Sequence, residues 1–196
     1  ISMLAGLICM PVNSVAQVQT GGFVFAGTMR NYLVFLPQHY DGVRTMPVVL
    51  NLHGFTLDAQ QQLNYSRMND VADTAGFIVV YPNALNNRWE VSDVGFINAL
   101  IDTLSRQFSI NKDMVYCCGF SLGGVASFEL ACQLSNKIAA VASVGGPISR
   151  AAASGPKADH QMPVLLVHGT ADELIPYDGT TQLCSVAQTL EYWVSF

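Results

Sequence analysis

Ser121 stands in Gly119-Phe120-Ser121-Leu122-Gly123, a G-x-S-x-G that follows the apolar run MVYCC and opens a stretch rich in small residues. A serine in this frame is placed to attack. A sharp strand-to-helix turn forces its backbone into strained angles and lifts the hydroxyl out of the sheet. Small residues two positions to either side are needed because strand and helix nearly touch there, and Gly124 and Ala126 continue that tolerance. Two further signals close strand-like runs. His53-Gly54-Phe55 ends PVVLNL, where a glycine lets the chain turn so that the next N–H points at a developing oxyanion. His168-Gly169-Thr170-Ala171-Asp172 ends PVLLV and sets a carboxylate 51 residues beyond Ser121. Each has a plain reading too: a turn whose His bonds locally, and an Asp that serves a loop. Together they give a Ser and then an Asp, each at its own strand end, in one of the chain orders used for nucleophilic catalysis.

Such groups need a sheet whose strands finish at one edge. Tyr32 to Leu36, Pro47 to Leu52, Phe77 to Tyr81, Met114 to Cys118, Ala139 to Val144 and Pro163 to Val167 read as strands. Helical stretches fall between and after them. Ala59 to Ala75 has a stripe of Leu63, Tyr65, Met68, Val71 and Ala72, and Val94 to Phe108 has Phe96, Ile97, Leu100, Ile101 and Leu104 at helical spacing. Leu122 to Leu134 and Cys184 to Val194 read as further helices, and Ala151 to Pro156 as a loop. Strands this apolar have no polar face, so helices are expected on both sides of a mostly parallel sheet. The fold class expected is α/β.

Composition narrows the function. Apolar residues make up 51% of the 196 and charged residues 12%, with a net charge of −5 and no basic run. That excludes a disordered chain and argues against a nucleic-acid groove or a polybasic membrane patch. No apolar stretch reaches the roughly 18 residues of a membrane span. Met3 to Val12 is apolar, and Ser14-Val15-Ala16 follows with small-x-small spacing, so residues 1–16 are read as the remnant of a secretory signal and 17–196 as one domain. A secreted or periplasmic location follows from that reading. Cys117, Cys118, Cys132 and Cys184 would remain; sequence cannot choose among three pairings or decide between bridges and buried thiols. No Cys/His spacing suits zinc.

The blocks YLVFLP with Tyr40-Asp41-Gly42, PVVLNLHGF, FIVVYPN with nearby Trp89, SDVGFINALID, VYCCGFSLGG and PVLLVHGTADELIPY run in one order from about Gly22 to Phe196. In that order the chain resembles the secreted serine esterases of the polyhydroxybutyrate depolymerase and feruloyl esterase type, within the α/β-hydrolase fold. The resemblance implies Ser121 as nucleophile, Asp172 as triad acid, and the N–H groups of Phe55 and Leu122 as the oxyanion hole, with Trp89 in the substrate site. It implies no cofactor and no metal, and a small-molecule or polymer-linked ester as partner. Hydroxycinnamoyl-type or polyhydroxyalkanoate-type esters are the substrates expected; oligomeric state is left open. A lipase, peptidase or acyltransferase on the same triad, or a binding protein that lost catalysis, are the competing readings.

The chain departs from the pattern in two places. Ser92-Asp93 stands where the family tends to show a pair of acids, and the segment from Pro82 to Asp93 is short. The catalytic His of the family follows the acid beyond another strand, yet the 24 residues after Asp172 contain none. A serine hydroxyl needs a base near neutral pKa. His39, His53, His160 and His168 are read as surface or turn residues. The base is therefore expected beyond Phe196, together with a last strand and helix.

Overall fold

The structure, a computed structural model, describes residues 15–195. Of the expected secretory segment, residues 1–14 lie outside the described residues. One seven-stranded sheet runs in the order β1-β2-β4-β3-β5-β6-β7. β1 (Gln17–Phe25) and β2 (Thr28–Leu36) form an antiparallel hairpin, and β2 pairs antiparallel with β4 (Ile78–Pro82). β4, β3 (Met46–Leu52), β5 (Ile110–Phe120), β6 (Ala140–Val144) and β7 (Val164–Val167) are parallel. All five parallel strands thus finish at the same edge. This is the α/β-hydrolase fold.

β1 carries no long apolar run, and its pairing comes from a two-residue turn. Ala26 and Gly27 both have positive φ, 49° and 79°, the geometry that matches the twist of a hairpin. The hairpin brings Phe23 and Phe25 onto Phe96, with ring centroids 5.7 and 6.3 Å away. Phe96 opens the buried stripe of α3 (Asp93–Gln107), whose Phe96, Ile97, Leu100, Ile101 and Leu104 are all buried, as their spacing predicts.

The main core lies between the sheet and one layer of helices. That layer holds α3, α4 (Leu122–Gln133) and α6 (Val186–Val194), with Trp193 of α6 stacked on Phe128 of α4 at 5.9 Å. The opposite face carries a smaller cluster around Phe35, Ala72, Val79 and Tyr81. Its cover is α1 (Ala59–Ser66) and α2 (Met68–Ala75). The single helix expected over 59–75 is broken at Arg67, which sits in the left-handed region at φ 49°. The break turns the second half, leaving Ala72 buried, Met68 half-buried and Val71 exposed, while in the first half Leu63 is half-buried and Tyr65 exposed. Gln62 faces inward instead, its Nε2 donating to Asn51 Oδ1 at 2.7 Å.

One more expectation needs correction, and one holds with a limit. Residues 150–154 are not a loop but a short helix, α5 (Arg150–Ser154), because Ser149 Oγ accepts the Ala152 N–H and starts it. Cover on both faces is also incomplete among the described residues. Beside α2 the sheet exposes alternate residues of β6 and β7, among them Val144, Leu165 and Val167. The apolar runs are real, but α1 and α2 reach only as far as Met68. All four described cysteines are free thiols; burial pushes the Cys117 thiol up to about 12 and the Cys118 thiol further up. Among the described residues no helix is long and apolar enough to cross a membrane.

One buried ion pair fastens the hairpin to the helix layer. Arg30 Nη2 donates to Asp93 Oδ1 at 2.7 Å and to Asn83 O at 3.1 Å, and its guanidinium lies 3.7 Å above the Phe96 ring. Asp93 Oδ2 accepts the Glu90 N–H at 2.9 Å, so the pair also shapes the segment before α3. Removing one partner would strand a charge with side-chain exposure of only 4 or 7%. Arg30→Ala is therefore expected to lower unfolding free energy by about 3–5 kcal/mol, read from urea denaturation. Loss below about 1 kcal/mol, the size of a surface pair, would contradict this account.

Candidate active site

Ser121 joins β5 to α4 with φ 55° and ψ −121°. A non-glycine residue adopts such angles only where its surroundings over-determine them, and here they do. Its N–H donates to Val144 O of β6 at 2.8 Å, and its carbonyl accepts the N–H groups of Gly124 and Val125. The main chain is fully used, and the half-buried side chain is left to face outward. Glycines make room for the turn. A Cβ on Gly119 would lie 2.3 Å from Gly123 C and O, and one on Gly123 would lie 2.3 Å from Leu52 O.

The oxyanion donors expected from sequence sit beside it. β3 and β5 end in register, Leu52 opposite Gly119, so residues 53–55 and 120–122 leave the sheet together. Gly54 approaches Phe120 so closely that a Cβ there would be 3.2 Å from the ring. Neither the Phe55 nor the Leu122 N–H donates to a protein acceptor among the described residues. Leu122 opens α4, where the first N–H groups have no helical partner.

Asp172 comes to the same edge after β7. Its Oδ1 accepts the N–H groups of Leu174 (3.0 Å) and Ile175 (2.9 Å). Those bonds, Ile175 first, hold its carboxyl below the usual carboxylate range, with the nearby His168 adding to the effect. Oδ2 stays open to the cleft, 3.8 Å from where a Gly145 Cβ would stand. Gly146, the next residue, packs against Ser121 itself, since a Cβ there would meet Ser121 O at 2.3 Å. Gly145 and Gly146 are site residues that sequence reasoning missed. The signal was present: a Gly-Gly directly after the run VASV follows the same strand-end logic as His53-Gly54.

No imidazole bonds to Ser121 Oγ among the described residues. His39 and His160 are exposed, and they follow β2 and precede β7, both at the opposite edge of the sheet. His168 is turned inward, its Nε2 donating to Ile175 O at 2.7 Å and 3.9 Å from Asp172 Oδ2. His53 is completely buried, Nδ1 2.8 Å from Gly54 O and Nε2 accepting the Ala84 N–H at 3.1 Å. Burial pushes its pKa down, partly opposed by the bond to Gly54. Among the described residues no group of three or more His, Cys, Asp or Glu is placed to hold a metal ion.

A cavity of about 510 Å³ adjoins the turn on the α3–α4 side, lined by Trp89, Val91, Val94, Ile97, Leu122 and Val125 among others. Trp89 is buried at 6% exposure, its Nε1 donating to His53 O at 2.8 Å. It forms a wall of this cavity while also bracing the main chain where β3 ends.

The fold agrees with what comparison with known proteins finds. The model of the phospholipase/carboxylesterase family matches residues 83–191, more than half of the chain. The chain belongs to that family. It is 32% identical over 156 residues to the bifunctional acetylxylan esterase/xylanase XynS20E of Neocallimastix patriciarum, covering 77% of this chain and 22% of that one. It is 28% identical over 163 residues to feruloyl esterase D of Neurospora crassa, covering 76% and 55%. The structure of a thermostable esterase superposes with a TM-score of 0.67 at 17% identity, covering 91% of this chain and 52% of that one. The chain thus spans between about a fifth and three-fifths of the curated relatives it matches.

Gly123→Ala tests whether close backbone approach creates the turn. Its clash partners are the carbonyl oxygens of Leu52 and His53, and neither can step aside. The expected loss is at or beyond the roughly 3 kcal/mol upper end of ordinary overpacking, measured by denaturant titration. An alanine variant as stable as the parent would show that strand and helix do not touch as described.

Proposed function

We propose that these residues form the catalytic core of a serine-dependent carboxylic ester hydrolase that works through an acyl-enzyme. The observation that carries the reading is Ser121 at φ 55°, ψ −121° between β5 and α4, near two N–H groups that have no protein acceptor among the described residues. Ser121 Oγ attacks the ester carbonyl as a base takes its proton, and the carbonyl oxygen becomes an oxyanion held by the Phe55 and Leu122 N–H groups. The ester C–O bond then breaks, and the alcohol leaves with the proton returned by the base. Water, activated by the same base, releases the acid and restores Ser121. Asp172 orients and stabilises the base as it becomes an imidazolium. No cofactor or metal enters these steps.

Relatives named as feruloyl and acetylxylan esterases support an ester as substrate. A cavity walled by Trp89, Val91 and Val94 favours a flat hydroxycinnamoyl-type acyl group over a polyhydroxyalkanoate-type chain, with the alcohol small or polymer-linked. A secreted or periplasmic setting is part of the same proposal, since it suits plant-polymer esters. The base is proposed to lie in sequence C-terminal to Phe196, because both His53 nitrogens are bonded and the His168 Nε2 is committed to Ile175. A binding protein without catalysis is the second reading, favoured by the lack of an imidazole on Ser121 Oγ among the described residues.

Hydrolysis of an activated short-chain ester separates them. Loss of the base from such a triad costs several orders of magnitude, while the oxyanion hole and binding retain roughly a thousandfold over water. The 196-residue chain is expected to show at most trace turnover. Extension past Phe196 to a downstream His should restore it, and Ser121→Ala should then abolish it. Full activity in the short chain would overturn the placement of the base. Inactivity of the extended chain, with Ser121 unlabelled by a fluorophosphonate, would favour the binding protein.

A further inference from the structure

We propose that His53 is a positioning residue: its neutral ring locks the Gly54–Phe55 peptide so that the Phe55 N–H faces the oxyanion. This rests on Ser121 being the nucleophile. A carbonyl only accepts and a backbone N–H only donates, so the two bonds of the ring fix its tautomer. The Nδ1–H is given to Gly54 O at 2.8 Å, and the bare Nε2 receives the Ala84 N–H at 3.1 Å.

The peptide bond is planar and trans, so its C=O and N–H point in opposite directions. Whatever fixes the direction of Gly54 O therefore fixes the direction of the Phe55 N–H. Gly54 O receives two donors, His53 Nδ1–H and the Leu57 N–H at 3.2 Å. Leu57 belongs to the same loop and moves with it. The ring is the outside anchor, because it is tied to the segment after β4 through Ala84 and packed against Trp89 with centroids 5.0 Å apart. Trp89 Nε1 holds the main chain of the same residue, at His53 O, 2.8 Å away.

The geometry also removes His53 from the role of base. Its proton faces a carbonyl, its lone pair is filled, and its exposure is nil. The charged groups that act on it, Asp58 and Asp93, favour a protonated ring, but burial outweighs them. An imidazolium here would turn a second N–H toward the Ala84 N–H and break the anchor.

The test has a structural and a catalytic arm. Nitrogen-15 NMR of the 196-residue chain is expected to show a protonated Nδ1 and an unprotonated Nε2 on His53. His53→Asn keeps an amide nitrogen near the position of Nδ1, whereas His53→Gln keeps one near Nε2. The Phe55 amide should keep the parent's chemical shift in His53→Asn and lose it in His53→Gln and His53→Ala. In the full-length protein, His53→Ala should lower kcat for an activated short-chain ester by about a hundredfold, the effect of losing one oxyanion donor. KM should stay within about twofold of the parent, as expected for an interaction made only in the transition state, and His53→Asn should recover most of the lost kcat. A ring protonated at Nε2 with a bare Nδ1, an Asn variant no better than Ala, or a change confined to KM would each overturn the lock. Should His53→Ala fail to fold, the parent ring and the Asn–Gln comparison still decide. If the full-length protein shows no Ser121-dependent turnover, the hydrolase reading fails, while the NMR arm still judges the lock.

Discussion

Contact of backbone on backbone at the end of β5 is the constraint from which the site follows. Gly119 lies against Gly123, Gly123 against Leu52 O, and Gly146 against Ser121 O, each so near that a Cβ would come to 2.3 Å. Three strand ends and the first turn of α4 are pinned together there. With the Ser121 N–H bonded to β6 and its carbonyl bonded within α4, the side chain is the only part of the residue left to project. The strain at Ser121 is small beside the core beneath it, where Leu50, Leu52, Ile97 and Phe128 are fully buried. A strained residue persists when its surroundings over-determine it, and this knot is how they do so.

The two His-Gly turns solve a similar problem at the ends of β3 and β7. Each loop must leave the sheet and hold one group steady: a peptide N–H in one, a carboxylate in the other. In each the histidine is buried and one ring nitrogen is bonded to a nearby carbonyl, His53 to Gly54 O and His168 to Ile175 O. The ring of His168 closes the same loop whose N–H groups grip Asp172 Oδ1. A histidine suits this work because it fills space like an aromatic while offering a directed donor. The same quality makes it a tempting candidate base, and only its bonding partners tell the two roles apart.

Much of this was legible in the sequence, and the limits have physical causes. The parallel strands and the stripe of α3 were readable because burial on both faces or on one helix face imposes a periodicity on neighbouring residues. Ser121 was readable because its turn imposes glycines at fixed local offsets. The break at Arg67 was not, since a left-handed residue other than glycine leaves no compositional mark, and that single φ redirected the second half and left Val71 in solvent. Nor was the β1 hairpin, whose Ala26-Gly27 turn is a weak signal and whose strand is half-exposed. The Arg30–Asp93 pair joins residues 63 apart, and only the fold makes them partners.

Backbone strain is distributed unevenly, and the unevenness has a direction. Among the described residues, six that are not glycine have positive φ: Ala26, Thr56, Arg67, Asn86, Asn87 and Ser121. Four of these, Thr56, Asn86, Asn87 and Ser121, follow β3, β4 or β5 at the edge where the parallel strands finish. Ala26 and Arg67 serve a hairpin and a helix break elsewhere. The clustered residues are not independent, since the Thr56 N–H donates to Asn87 O at 3.0 Å and so couples the loop after β3 to the turn after β4. That turn is held in turn by Asn83, whose Oδ1 accepts the Ala59 N–H and whose carbonyl accepts Arg30. Each left-handed residue costs of order 1–3 kcal/mol, so the edge is stable only because buried bonds beneath it are already satisfied. The ion pair of Arg30 and the ring of His53 therefore belong to one support, reaching from the hairpin through β4 to the peptide beside Ser121.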